Sequence, residues 1–174
     1  MAQVALALEH ADDARRSFDG PAPALQDGPD RTGFELGWDF ARHGLVPPVA
    51  HLAAGNPLRQ GWEAGRASVG PRTLRATPAV RTWLQLRTQA WQQGRAFEGL
   101  EVTPHFLAQI DSGLCPVTRL PLTRDTGEDS DAVVERVYQE AGYAAGNLAM
   151  LSRRAQAAKA ALRWDEAQIG RAHV

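Results

Sequence analysis

The chain has 174 residues, 44% hydrophobic and 22% charged, the balance of an ordinary globular protein able to bury a substantial core. Its one cysteine, Cys115, excludes an internal disulfide and a cysteine-built zinc site and fits a reducing, cytoplasmic setting; no apolar run approaches the roughly 18 residues of a membrane span. The net charge of −1 hides an uneven distribution: residues 1–40 hold eight acids against three arginines, residues 58–95 seven arginines against Glu63, and residues 141–174 five bases against two acids, an asymmetry that points to a polyanionic partner.

In chain order, "MAQVALALEHADDARRSF" lacks a basic start before its apolar residues, so it is expected to be a first helix over 2–18 and not a signal peptide. "DGPAPALQDGPD" (19–30) reads as a loop. A helix over 32–43 is predicted, with Phe34, Trp38 and Ala41 facing inward, followed by a short helical turn at 48–53. Three further helices begin alike: Asn56-Pro57, Thr77-Pro78 and Thr103-Pro104 each place an N-capping side chain before a proline at the first helical position. The first should run to about Ser68 with Leu58 and Trp62 inward. The second should run to about Phe97 on an apolar stripe of Val80, Trp83, Leu84, Leu86, Ala90, Trp91 and Phe97. The third should bury Phe106, Leu107 and Ile110. The tryptophans are expected as core anchors. "GWEAGRASVG" (61–70) is glycine-rich, but its spacing fits no phosphate-binding loop.

Beyond residue 112 the pattern changes. "LCPVTRLPLT" (114–123) suggests a small hairpin and "RDTGEDSD" (124–131) a loop. "AVVERVYQEAGY" (132–143) fits a helix by propensity and a strand by its β-branched content. "GYAAGN" (142–147) reads as a turn, with Gly142, Gly146 and Asn147 suited to positive φ. "LAML" (148–151) fits a strand, and Ser152 is placed to cap the alanine-rich helix that follows. The expected fold is therefore α+β and mostly α: a helical bundle over 1–112 with an acidic start, then a ββα unit over 113–174.

The pieces Cys115-Pro116-Val117-Thr118, Val134-Glu135-Arg136-Val137, Gly142-Tyr143-Ala144-Ala145-Gly146-Asn147 and Ala155-Gln156-Ala157-Ala158-Lys159 stand in a recognisable order. Together they resemble one branch of the HNH (His-Me finger) endonucleases, common in phage and mobile elements. That branch carries Cys-Pro-x-Thr, then Ser-x-Asp-Arg-Ile, then Gly-Tyr-x-x-Gly-Asn, and finally Ala-Asn-x-x-Lys. The resemblance covers about residues 113–162 and implies a ββα metal finger. It implies catalytic positions at Glu135, Arg136 and Asn147, and a single Mg²⁺ or Mn²⁺ held by Glu135 and Gln156.

The departures fall on the working positions. Glu135 stands for aspartate, Arg136 stands where ordinary HNH enzymes place the histidine, and Gln156 replaces asparagine or histidine. An arginine stays protonated and cannot act as a general base. Glutamine is a poorer ligand than carboxylate for a hard divalent ion. None of the five histidines lies in the motif, so only folding can bring His43, His51 or His105 to it.

The expected function is binding of DNA or RNA, without a cofactor or a membrane, on a degenerate finger. The phosphate contacts would come from Arg119, Arg124, Arg153, Arg154, Lys159 and Arg163, with Arg81, Arg87 and Arg95 from the bundle. Two alternatives stand beside it. One is an active metal-dependent endonuclease; the other is a protein-interaction module of a phage, plasmid or defence system.

Overall fold

The computed structural model describes residues 28–161. The helix expected over 2–18 and the expected phosphate-binding residue Arg163 lie outside the described residues. Among the described residues the molecule is α+β and mostly helical, as the periodicity implied.

The capping signals act where they stand in the sequence. Asn56 Oδ1 accepts the Leu58 N–H at 2.9 Å, Thr77 Oγ1 accepts that of Val80 at 3.3 Å and Thr103 Oγ1 that of Phe106 at 3.2 Å. Each satisfies an amide that the helix start leaves unpaired. With proline next in line, they open α2 (Pro57–Val69), α3 (Pro78–Gln92) and α4 (Pro104–Gln109). Helix α1 spans Pro29–Arg42, beginning inside the segment expected as a loop. The turn expected at 48–53 is a 3₁₀ turn at Val49–His51.

Helix α3 stops at Gln92, five residues short of the expected end at Phe97. Gly94 takes a φ of 60°, and the Arg95 N–H returns to the Ala90 carbonyl at 2.9 Å. Glycine reaches this left-handed conformation without the Cβ penalty, which ends the helix. Phe97 is thereby released to pair with Tyr143.

The buried face of α1 also differs from the expected one. Gly33, Leu36, Gly37, Phe40 and Ala41 are buried, while Phe34 and Trp38 are half-buried. The reason is that α1 and α2 cross at their glycines. A Cβ on Gly37 would lie 1.9 Å from the Leu58 carbonyl oxygen, and one on Gly61 would lie 1.9 Å from that of Phe34. Gly61 and Gly65 of "GWEAGRASVG" thus serve close helix packing, whereas Gly70, with a φ of 60°, ends α2. Leu36, Phe40, Leu58, Val80 and Leu84 close the core behind this crossing. Trp62 and Trp83 flank it, with their ring N–H groups on the carbonyls of Leu45 at 2.9 Å and Val102 at 2.8 Å, as anchors with a satisfied polar end.

After α4 the chain makes a hairpin-like loop. The Leu114–Pro121 bridge and the Cys115 N–H bond to the Leu120 carbonyl at 2.9 Å hold it together without regular strands. The ambiguous stretch resolves as strand β1, Ala132–Arg136, followed by a turn. β1 pairs antiparallel with β2, Leu148–Ser152, in the register Val134 opposite Met150. Ser152 Oγ accepts the Ala155 N–H at 3.3 Å and starts α5, Arg153–Ala161, which packs on both strands. Strand, loop, strand and helix thus follow in the expected ββα order.

The bundle and this ββα unit share a core. Leu86 and Ala90 of α3, Val102, and Leu107 of α4 pack with Tyr143 and Leu148. The main chain joins them too: the Tyr143 N–H bonds the Ala96 carbonyl at 2.9 Å, and the Glu98 N–H bonds the Tyr143 carbonyl at 2.9 Å. Gly142 permits this suture, because a Cβ there would meet the Ala96 oxygen at 2.7 Å. Neither Gly142 nor Gly146 takes a positive φ. Gly142 is needed for space, not for an unusual backbone, and nothing lies within 4 Å of a Cβ on Gly146.

A smaller cluster of Cys115, Leu122, Leu151 and Ala155 underlies the hairpin. The Cys115 thiol is fully buried and takes the N–H and hydroxyl of Ser152 at 3.4 and 3.5 Å. Burial alone would raise its pKa, but the hydrogen bonds from Ser152 and Thr118 outweigh this and lower it to about 6.

The loop before β1 is organised by Asp131. Its carboxylate accepts the Thr126 hydroxyl at 2.6 Å, the Thr123 hydroxyl at 2.9 Å and the Gly127 N–H at 2.8 Å. The Thr126 hydroxyl bond leads in lowering its pKa to about 2, against the opposing effect of burial. A depressed carboxylate pKa contributes stability above the unfolded value, lost as pH falls through the folded one. Unfolding stability should therefore drop between about pH 4 and pH 2, and Asp131→Asn should flatten that segment of a pH–denaturation profile. An unchanged profile in the variant would remove Asp131 as the cause.

Candidate functional site

The positions singled out by the resemblance converge on one side of the ββα unit. Glu135 lies near the end of β1, where its side chain is turned toward α5 and only 8% of the residue is exposed. Its carboxylate is fully engaged. Gln156 Nε2 donates to Oε2 at 2.7 Å, Lys159 Nζ to Oε1 at 3.0 Å, and Gln139 Nε2 also to Oε1. Lys159 additionally donates to the main-chain carbonyl of Arg136.

Arg136 is used to staple its own loop. Its guanidinium donates to the carbonyls of Gln139 at 2.9 Å and Ala141 at 3.0 Å, and to Gln139 Oε1 at 3.1 Å. It also stacks on Tyr143, 4.8 Å from the ring centroid. Asn147 is buried and clamps the same loop from within. Oδ1 accepts the Tyr138 N–H at 2.8 Å, while Nδ2 donates to the carbonyls of Tyr138 at 3.0 Å and Gly142 at 2.9 Å. The residues of the motif therefore form one self-satisfied network around residues 137–147.

A divalent ion does not fit this arrangement. Mg²⁺ and Mn²⁺ need several hard oxygen ligands converging on one point. Glu135 instead faces an amide nitrogen from Gln156 and an ammonium from Lys159. Among the described residues no three His, Cys, Asp or Glu side chains gather in a cluster able to hold a metal ion.

The network forms part of the wall of a cleft of about 1280 Å³ between the ββα unit and the bundle. One wall is β1 with Gln139 and Gln156; the other is α3 and α4. Helix α3 contributes Arg81, Gln85 and Gln89 and its C-cap Gln93, spaced by four residues so that they share a face. Of the three bundle histidines considered, His105 lines this cleft. His51 instead contacts Gln92, at 2.5 Å. His43 caps the end of α1, with burial lowering its pKa against the opposing charge of Asp39.

The basic residues divide into two groups. Arg87 pairs with Asp39 and lies over Trp83, Arg124 pairs with Asp111, and Arg95 bonds the Glu140 carbonyl at 2.8 Å. Arg153 reaches the Gly127 carbonyl at 3.2 Å, with Asp131 3.5 Å away, and Lys159 is held by Glu135. These charges are largely committed within the fold. Arg81, Arg119 and Arg154 are exposed, and no side-chain partner is found for them among the described residues.

The fold also assembles a basic group that the linear pattern does not locate. The Leu74 N–H bonds the Arg42 carbonyl at 2.8 Å, drawing the 70–77 loop onto the end of α1. This sets the main chain of exposed Arg42 beside the loop that carries exposed Arg72 and Arg75, none in a salt bridge with a described residue. Arg81 follows one turn into α3 and lines the cleft. The density of arginine over 58–95 signalled this group; the contribution of Arg42 required the loop to fold back.

None of the described helices is long and apolar enough to cross a membrane. Compared with protein families, with curated proteins and with solved structures, the chain matches none.

Proposed function

We propose that this protein binds nucleic acid through its phosphate backbone and does not cut it. The observation that carries the reading is the basic group of Arg42, Arg72 and Arg75, exposed and without a salt bridge among the described residues, continued by Arg81 into the amide-lined cleft. Arginine donors of this kind suit phosphate oxygens. Gln85, Gln89 and Gln93 supply neutral donors and acceptors along the same wall, compatible with sugar and base edges. Arg119 and Arg154 offer further charge on the ββα side.

The closed network at Glu135 and Arg136 supports binding over hydrolysis. A general base has to be free to accept a proton. Glu135 has three donors on its carboxylate, and Arg136 is protonated and engaged.

The test is gel retardation of DNA and RNA near 50 mM salt, with the affinity followed as salt rises. Substituting Arg42, Arg72, Arg75 and Arg81 together by alanine should reduce the salt slope by about 3 to 4, near one unit for each phosphate that is no longer neutralised. An unchanged slope would remove these arginines from the interface, and no retardation at 50 mM would sink the reading. Plasmid incubated with Mg²⁺ or Mn²⁺ should stay intact. Nicking that disappears in Glu135→Ala would instead establish the endonuclease.

A further inference from the structure

We infer that the cleft between β1 and α3 takes the bases of a single nucleic-acid strand, with the phosphates left along its rim. This rests on the binding reading above and names its substrate class, one strand and not a duplex. The charge of the cleft keeps phosphates out of its interior. Asp111, Asp125 and Glu135 line it. Of its basic lining residues, Arg124 is paired with Asp111 and Arg136 is tied to its own loop. Arg81, near the start of α3, is the lining cation without a side-chain partner among the described residues. Arg72 and Arg75 precede that end in the chain, so phosphates meet arginines outside and no surplus of cations within. The interior is neutral and polar instead, with Gln85, Gln89 and Gln93 on one wall and Gln139 and Gln156 on the other.

The outer edge of β1 adds main-chain groups. Successive residues of an antiparallel strand point their N–H and C=O groups to opposite sides. The Arg153 N–H bonds the Asp131 carbonyl at 2.9 Å and the Val137 N–H bonds the Asn147 carbonyl at 2.8 Å, so odd-numbered residues of β1 turn toward β2. The Ala132 N–H instead bonds the Thr123 carbonyl at 2.8 Å, on the other edge. Val134, two residues on, therefore turns both its N–H and its carbonyl away from β2. The chain after Thr123 does not cover them, because Asp125 takes a φ of 56° and the bridge to Asp131 goes no further. Glu135 and Val133 on the α5 face and Ala132 and Val134 on the bundle face all line the cleft, so the cleft runs along this edge. A donor beside an acceptor is the pattern that the edge of an unstacked base completes. A peptide strand would complete it too; the arginines leading in favour the polyanion.

The size of the cleft selects one strand. A volume of about 1280 Å³ spread over about 24 Å, the rise of α3 from Thr77 to Gln93, leaves a mean cross-section of about 50 Å². A double helix, whose major groove alone is about 12 Å wide, stays outside such a slot.

The experiment measures fluorescence anisotropy of three labelled probes with the full chain near 50 mM salt: an oligo(dT) strand of about 12 nucleotides, its duplex with oligo(dA), and an abasic strand of the same length. The single strand should bind at least tenfold more tightly than either of the others. Gln85→Ala/Gln89→Ala should weaken single-strand binding at least fivefold and leave its salt slope and the duplex affinity at the parental values, because the groups removed are neutral. The Val134 amide resonance should shift as the single strand is added. No binding of any probe would sink the binding reading and this inference with it. Equal binding of all three probes would leave the binding reading and overturn the inference, and this comparison on the parent protein stands whatever the glutamine variant does to folding. A Val134 amide unmoved under saturating single strand would also overturn it and leave the edge of β1 to a peptide.

Discussion

Gly61→Ala is expected to destabilise the protein by about 2–3 kcal/mol, although alanine is the better helix former. In an exposed helix the same change gains up to about 1 kcal/mol. Here the added methyl would sit 1.9 Å from the Phe34 carbonyl oxygen and 2.6 Å from its carbon. That neighbour is main chain and cannot rotate away, so α1 and α2 must separate, and overpacking of this kind costs about 1–3 kcal/mol or more. Gly37→Ala should act alike from the other side, since its Cβ would meet the Leu58 oxygen at 1.9 Å. Separation would loosen Leu36 and Leu58, both fully buried at the centre of that cluster. The measurement is the urea midpoint, with Gly146→Ala as the comparison, because open space surrounds a Cβ there. A Gly61→Ala midpoint at or above that of the parent would refute the close crossing.

Asn147→Ala is the second large effect, expected at about 2 kcal/mol. The side chain satisfies the Tyr138 N–H and the carbonyls of Tyr138 and Gly142, and the residue is 6% exposed. Alanine leaves the Tyr138 N–H and the Gly142 carbonyl without this side chain, at about 1 kcal/mol or more each, while the Tyr138 carbonyl keeps the Ala141 N–H at 3.3 Å. Asn147→Asp should not rescue the loss. It keeps the acceptor but cannot make both donations, and it places a carboxylate beside two carbonyls. The 137–147 turn carries Tyr143 into the shared core, so the damage should spread. Hydrogen exchange should accelerate in β1 and around Ala96–Glu98 as well as in the turn. Exchange confined to the turn would show that the suture to the bundle does not depend on Asn147.

Both variants bear on how the motif is to be read. In the finger enzymes that the motif resembles, the loop asparagine orients a catalytic histidine. In this chain Asn147 orients the loop itself, and Arg136 closes that loop from outside while stacking on Tyr143. Gly142 makes room for the Ala96 carbonyl. Each of these residues therefore has a structural task that explains its presence without chemistry.

Much of the architecture could be read from local sequence. Asn56, Thr77, Thr103 and Ser152 cap the helices they were expected to cap, because a cap needs only a side-chain oxygen two or three residues from the amide it serves. The ββα order followed from β-branched residues, a glycine-bearing turn and an alanine-rich helix. Other elements were decided by neighbours distant in sequence. "AVVERVYQEAGY" suited helix and strand equally, and pairing of Val134 with Met150 settled it as strand through Arg136. The inward face of α1 was misplaced onto Phe34 and Trp38, because apolar periodicity does not register glycines. The spacing of Gly33, Gly37 and Ala41, and of Gly61 and Gly65, was the available signal.

The candidate site divides along the same line. Composition and local pattern by themselves determined a mostly helical α+β chain, its helix starts and a basic middle. They depend on residue type and on interactions within about four positions. Only the tertiary structure decided which arginines are committed to internal partners and which, Arg42, Arg72 and Arg75 among them, stay exposed without a salt bridge among the described residues. Only it brought Lys159 onto Glu135 across 24 positions. Charge pairing depends on distance in space, which a linear pattern does not encode once the chain turns back on itself.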